Sequence, residues 1–470
     1  MCTLSKPIEL ILVLLGISLF SQVAQAKYGG GSGTADDPYQ IATAADLLLL
    51  GDSPEDYDKH FILTADIDLD PNLPGRKVFD KALIAPDTND VTDWFEGTWF
   101  TGVFDGNGHT ISHLTIKGAS WLGLFGRSQY VAEVKDLGVV DVNITGSGYY
   151  VGGLVGHNGD PWREVRGGII TRCYSTGKVS GGDDVGGLVG GNSETVSSSY
   201  STAYVNGRSF VGGMVGSNYA GYVTESYSTG TVSGTGWGVG GLVGYNSGSL
   251  TNCYSTGAVS GTNSVGGLVG GKRGTVTQCY SAGSVSGTDN VGGLAGSNYS
   301  GTLSNCYSTG AVSGTGQNVG GLVGTREGYA KVIQCFWDIQ TSGQSTSDGG
   351  MGKTTAEMQT ATTFLEAGWD FVGESQNGTQ NIWVICEGQD YPKLAWQFVI
   401  ADYNGDGHTD LMDFCIFGQR WLGTDSSFWC PRSFAFAKQT GGGTDLTNDG
   451  FIDFEDLMVL AESWLTDTAP

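Results

Sequence analysis

Between residues 123 and 345 the chain has no helical period; short Val, Leu and Ile stretches recur between Gly, Asn, Ser and Thr turns. The phrase Val-Gly-Gly-Leu-Val-Gly and close variants begin at Val151, Val185, Val211, Val239, Val265, Val291 and Val319, mostly 26 or 28 residues apart. A fixed period of that length describes one turn of backbone that buries its apolar side only by stacking on its neighbours. In the unit opening at Val265, three β-rich stretches (Gly-Leu-Val-Gly, Thr-Val-Thr-Gln-Cys-Tyr-Ser and Ser-Val-Ser) predict three strands per coil. The fold class expected is mainly β, a right-handed parallel β-helix whose equivalent positions stack about 4.8 Å apart.

Three ladders follow from the register. Cys173, Ser199, Ser226, Cys253, Cys279, Cys306 and Cys335 form one, read as small inward residues, with a metal site or a disulfide series as alternatives. Beside it run Tyr174, Tyr200, Tyr227, Tyr254, Tyr280, Tyr307 and Phe336. Period-two alternation turns these rings outward, where they either stack on one another or present a glycan-binding stripe; a bend at Asn252 or Gln278 would reset the alternation. The third ladder is Asn158, Asn192, Asn218, Asn246, Lys272, Asn298 and Arg326. Asparagine there suits a left-handed turn with amides bonded from rung to rung, and Lys272 and Arg326 imply exposed or remodelled turns.

A stack of coils needs covered ends. Thr43 opens a short capped helix through Leu50, and the capping box Thr354 to Glu357 opens another to about Ala367, followed by Trp369, Trp383 and Trp396 as a C-terminal cap. Residues 1–26, with Lys6, an apolar run from Ile8 to Phe20 and Ala24-Gln25-Ala26, read as a signal peptide, and no later stretch is long and apolar enough to span a membrane. The product expected is secreted, extracellular or associated with the cell surface. A formal charge of −25 argues against a nucleic-acid partner. The run Asp66, Asp68 and Asp70 reads as solvated acids with cation binding as the alternative, and His109 and His113 read as structural.

Chemistry of a specific kind stands after the repeats. Asp402, Asn404, Asp406, the His408 carbonyl, Asp410 and Asp413 fall at the spacing of a 12-residue calcium loop, with Gly407 at the sharp turn. A second loop offers Asp445, Thr447, Asp449, the Phe451 carbonyl, Asp453 and Asp456, so two calcium ions are expected. Each loop feeds an apolar helix ending at Trp421 or Trp464. Cys415 and Cys430 are spaced for a local disulfide.

Gly-Leu-Val-Gly followed by Asn and then Asn-Cys-Tyr-Ser-Thr-Gly resembles the GLUG motif of bacterial secreted and surface proteins, over roughly residues 123–337. The resemblance implies a β-solenoid without defined catalytic residues. The paired loops, lacking an entering helix and ending in Asp at position 12, resemble a type I dockerin over Ile400 to Leu465. That resemblance implies a small α-helical module docking on a cohesin-like partner, with Leu411, Met412, Phe454 and Glu455 at the partner-choosing positions. The division expected is a signal at 1–26, an N-terminal cap and first coils at 27–122, repeats at 123–345, a cap at 346–399 and the calcium module at 400–470.

Three functions are compatible with these features. One is a non-catalytic solenoid for adhesion or for binding a polysaccharide or cell-surface glycan, using the tyrosines from Tyr174 to Tyr307 and Trp162. Another is a polysaccharide lyase or glycoside hydrolase, with its site in the acidic insert from Asp70 to Glu96 or in the loop from Asp160 to Arg166. From Val211 to Gly271 the one charged side chain is Glu225, which excludes paired-carboxylate catalysis from that strip. The last is a passive surface rod.

Overall fold

In the computed structural model, which describes residues 27–398 apart from 90, 93, 130, 161–167, 373 and 375, the repeats build a parallel β-solenoid of about eight turns. The central coils carry five short strands rather than three. In the coil around Val265 they are Asn263–Gly266, Val269–Lys272, Thr275–Thr277, Tyr280–Ser281 and Val285–Gly287. All five pair in parallel with the next coil, through Val265 with Val291, Val269 with Ala295, Val276 with Leu303, Tyr280 with Tyr307 and Val285 with Val312.

The extra breaks have a backbone cause. Arg172, Ser198, Glu225, Asn252, Gln278, Asn305 and Gln334 all take left-handed φ between 47° and 55°. They split the expected Thr-Val-Thr-Gln-Cys-Tyr-Ser strand in each coil. A second left-handed corner precedes the Val-Gly-Gly phrase at Tyr150, Asp184, Phe210, Ser264, Asn290 and Asn318, with φ of 53° to 59°. Non-glycine residues adopt this conformation at a local cost, offset here by the ladder bonds and burial on either side. Past this corner the chain crosses its neighbour closely: a Cβ at Gly267 would lie 2.2 Å from the Gly293 carbonyl oxygen. That contact explains the invariance of glycine at the third position of the phrase within this chain.

The interior is a column of fully buried Val265, Leu268, Val269, Val276, Cys279 and Val285 and their counterparts above and below. Each such side chain contributes roughly 1.5–3 kcal/mol by leaving water. At the N-terminal end, helix Ala44–Gly51 closes the stack with Leu47 and Leu50 buried. Thr43 and Asp46 form its capping box, Asp46 N–H donating to Thr43 Oγ1 at 3.2 Å and Thr43 N–H to Asp46 at 2.9 Å.

The expected helix from Thr354 to Ala367 forms as two short ones, Thr355–Met358 and Ala361–Leu365, because Thr360 is extended between them. The segment carrying Trp369, Trp383 and Trp396 lies along the side of the last coils, where Met358, Phe364, Trp369, Trp383 and Leu394 pack on Tyr280, Tyr307 and Phe336. Among the described residues no helix is long and apolar enough to cross a membrane.

Candidate functional site

The tyrosine stripe points outward as expected, with Cys279 and Ser281 buried on either side of Tyr280. Its geometry determines what it can do. Successive centroids from Tyr174 to Tyr307 are 4.8–5.0 Å apart with interplanar angles of 2–7°. Rings that close and that parallel are offset-stacked, so each face is used by a neighbour and the edges meet solvent. A pyranose needs a free face. Tyr280, Tyr307 and Phe336 are moreover sealed beneath the C-terminal cap, the Tyr307 hydroxyl donating to the Pro392 carbonyl. Trp396 reaches back over the stripe, 5.8 Å from Tyr254 and 6.4 Å from Tyr227 between centroids, and its Nε1 donates to the Asn252 carbonyl at 2.9 Å. Tyr174, Tyr200, Tyr227 and Tyr254 stay half-buried, the last two beside Trp396, and burial within the stack pushes Tyr200 and Tyr227 up to about 12.

The other ladders are internal. Cys173, Cys253, Cys279, Cys306 and Cys335 are buried free thiols, so the ladder is not a disulfide series. In the amide ladder Asn158 donates to Asn192 at 3.0 Å, Asn192 to Asn218 at 2.8 Å and Asn218 to Asn246 at 2.8 Å. These asparagines sit in extended strands rather than left-handed turns, because the sharp corners fall elsewhere in the coil. Lys272 is not exposed: it fills its rung fully buried, Nζ donating to Asn298 Oδ1 at 2.9 Å and the Ser300 carbonyl at 3.1 Å. Burial pushes its amine down to about 8. Arg326 is exposed, 3.8 Å from Asp348.

Near the N-terminal end, Asp66 accepts from Thr110 N–H at 2.8 Å and lies 3.3 Å from His109 Nδ1, and Asp68 lies 2.8 Å from His113 Nδ1. Of the three acids expected to be solvated, Asp66 and Asp68 stay exposed while lying beside the two histidines, and Asp70 accepts from Asn72 Nδ2 at 2.8 Å. The Asp68 hydrogen bond raises His113 and that same bond lowers Asp68. Among the described residues no group of three or more His, Cys, Asp or Glu has metal-site geometry.

A cleft that the repeat pattern did not single out lies at the corner between the Val-Gly-Gly strands and the strands after them. Phe210, Trp237, Tyr245, Arg273 and Tyr299 line an opening of about 310 Å³. Here the rings are tilted. Phe210 meets Trp237 at 5.2 Å and 83°, Tyr245 meets it at 5.8 Å and 47°, and Tyr299 at 5.7 Å and 33°. The register explains the opening. Trp237 leans across the next coil at Gly271, where a Cβ would lie 2.7 Å from its ring, and Ser264 is small at the corner beside it. Three coils earlier the same corner is filled: Tyr150 packs on His157 at 4.8 Å and on Tyr219 at 6.4 Å, and Tyr219 donates to buried Asp184 at 3.0 Å. Burial raises Asp184 to about 6 and lowers His157 to about 3. The signal that could have found the cleft is the placement of large aromatics at positions where neighbouring coils carry Gly or Ser.

Trp162 and the rest of the loop through Arg166, the signal peptide, both calcium loops, Leu411, Met412, Phe454, Glu455 and the pair Cys415 and Cys430 lie outside the described residues. Asp160 is described: it accepts from Gln129 Nε2 at 3.1 Å and lies 3.6 Å from Arg127.

The model of the GLUG motif matches residues 147–180, 235–260 and 287–313. Halomucin of Haloquadratum walsbyi is 35% identical over 162 residues, which is 34% of this chain and 2% of that protein. A provisionally named Gly-rich membrane protein of Evansella cellulosilytica is 35% identical over 115 residues, 24% of this chain and 12% of that protein. The chain therefore spans a small part of these relatives. A solved structure from Bacteroides ovatus, provisionally described as an immunoglobulin A1 protease, aligns over 78% of this chain and 95% of that one, with a TM-score of 0.44 and 19% identity. The chain is a parallel β-solenoid that carries GLUG motif repeats.

Proposed function

We propose that this chain is a secreted, non-catalytic solenoid that binds carbohydrate and serves adhesion or extracellular polysaccharide use. Paired calcium loops in residues 400–470 hold it on a cohesin-like or cell-surface partner. The observation that carries the binding reading is the cleft: the half-buried rings of Phe210, Trp237, Tyr245 and Tyr299, tilted against one another and not stacked in parallel, line one opening. Sugars pack their C–H surfaces on such rings, and a concave aromatic site with few polar groups is the usual form of a small-molecule pocket. Its lining carries one guanidinium and no carboxylate, so cleavage by an acid pair has no groups to work with there. The likeness of part of the repeats to a described membrane protein agrees with placement at a cell surface.

Retention of the chain in gels containing polysaccharide tests the reading. Trp237→Ala is expected to abolish retention while the chain stays folded, with the thermal midpoint lowered by the loss of its contacts to Phe210, Tyr245 and Tyr299. A variant retained as strongly as the parent removes the cleft from the account.

A further inference from the structure

Arg273 distinguishes this cleft from a general sugar platform. Its guanidinium sits 5.9 Å from the Tyr299 ring centroid, at the rim of the opening, on an exposed side chain. Four other arginines sit against acids, Arg127 against Asp160, Arg172 against Asp136, Arg208 against Asp183 and Arg326 against Asp348, and Arg76 donates to the Asp68 carbonyl. Among the described residues no ion pair engages Arg273, and the cleft lining holds no acid. In a chain of formal charge −25, an exposed cation with no carboxylate in the lining of an aromatic cleft is placed to meet a negative group from outside.

We infer that the cleft selects an anionic saccharide. The pyranose packs on Trp237 between Phe210, Tyr245 and Tyr299, and its carboxylate or sulfate accepts from the Arg273 guanidinium. The planar fork matches either oxyanion, whereas a lysine at that rim would offer a point charge without the fork. Stacking gives adhesion to the sugar and the guanidinium gives the choice among sugars. This rests on the carbohydrate reading of the same cleft and adds the chemical class of ligand. Because the protein as a whole is strongly acidic, anionic polymers are repelled at long range, so their binding at physiological salt reports a local site and not general charge attraction.

The test is equilibrium binding of the full chain at physiological ionic strength to three probes: a polygalacturonate oligosaccharide, a sulfated galactan oligosaccharide and a neutral galactan oligosaccharide. The expected result is a preference of about tenfold or more for one or both anionic probes, the scale of one charge-assisted hydrogen bond. Arg273→Gln is expected to bring the anionic affinity down to the neutral one and leave the neutral one unchanged. Arg273→Lys is expected to recover part of the preference. Because Arg273 is exposed, these variants keep the fold, and an unchanged thermal midpoint confirms it. Equal affinity of the parent for all three probes, or a preference untouched in Arg273→Gln, overturns the inference and leaves the carbohydrate reading standing. Absence of binding to all three overturns both.

Discussion

Lys272 occupies a rung where five other coils carry asparagine, and it does so with its amine inside the ladder. The stem fills space and the ammonium finds two acceptors, but leaving water costs more than they return, which is why the amine is pushed down to about 8 from its ordinary 10.5. The unfolded chain then holds the proton more tightly than the folded one. Stability accordingly rises with pH from about 8 toward 10.5, and below 8 the penalty is carried in full. Buried phenols such as Tyr200 act in the opposite sense above pH 10, because folding keeps them protonated. Lys272→Asn is expected to restore the amide ladder, to raise stability at pH 7 by about 1–3 kcal/mol and to flatten the profile between pH 8 and 10. Urea unfolding at a series of pH values measures this, and a variant less stable than the parent at pH 7 would show that the lysine is a net stabiliser.

At the scale of the coil, the left-handed residues decide which faces are presented. Gln278 and its counterparts end one strand and start the next, setting Cys279 inward, Tyr280 outward and Ser281 inward. The outward rings then meet two environments. Tyr307 lies under the C-terminal cap between Tyr280 and Phe364, fully buried, while Tyr174 ends the stack above Gly138, whose absent Cβ would sit 2.4 Å from its ring. Tyr307→Ala is expected to cost about 3–5 kcal/mol, the range for emptying an aromatic site, and Tyr174→Ala about 1 kcal/mol. Chemical denaturation monitored by tryptophan fluorescence compares them, and equal costs would mean that the cap does not bear on the stripe. The ladders were legible in the sequence because a repeat writes each inward or stacked position several times over. The five-strand coil was less so, since Arg172, Glu225 and Gln278 show no turn signature of their own. The cleft was illegible for the converse reason: Phe210, Trp237, Tyr245 and Tyr299 are departures from the repeat, and their convergence depends on the register of four coils.

For the whole molecule, coil-on-coil burial holds the solenoid together, and the calcium-dependent attachment proposed for residues 400–470 is independent of it. Oxygen ligands at loop spacing occur at Asp402 to Asp413 and at Asp445 to Asp456, and nothing in the described solenoid shares that spacing. Two calcium ions per chain are expected by native mass spectrometry. In scanning calorimetry, chelation should shift a minor transition while the main one stays within a few degrees. A single transition displaced as a whole by chelator would contradict this division. The central claim, that the rod binds sugar in the cleft around Trp237, is tested most directly by a crystal structure of the chain soaked with an oligogalacturonate. The account predicts a pyranose ring packed on Trp237 with its carboxylate against Arg273. A sugar bound instead along Tyr174, Tyr200 and Tyr227, with the cleft empty, would contradict it.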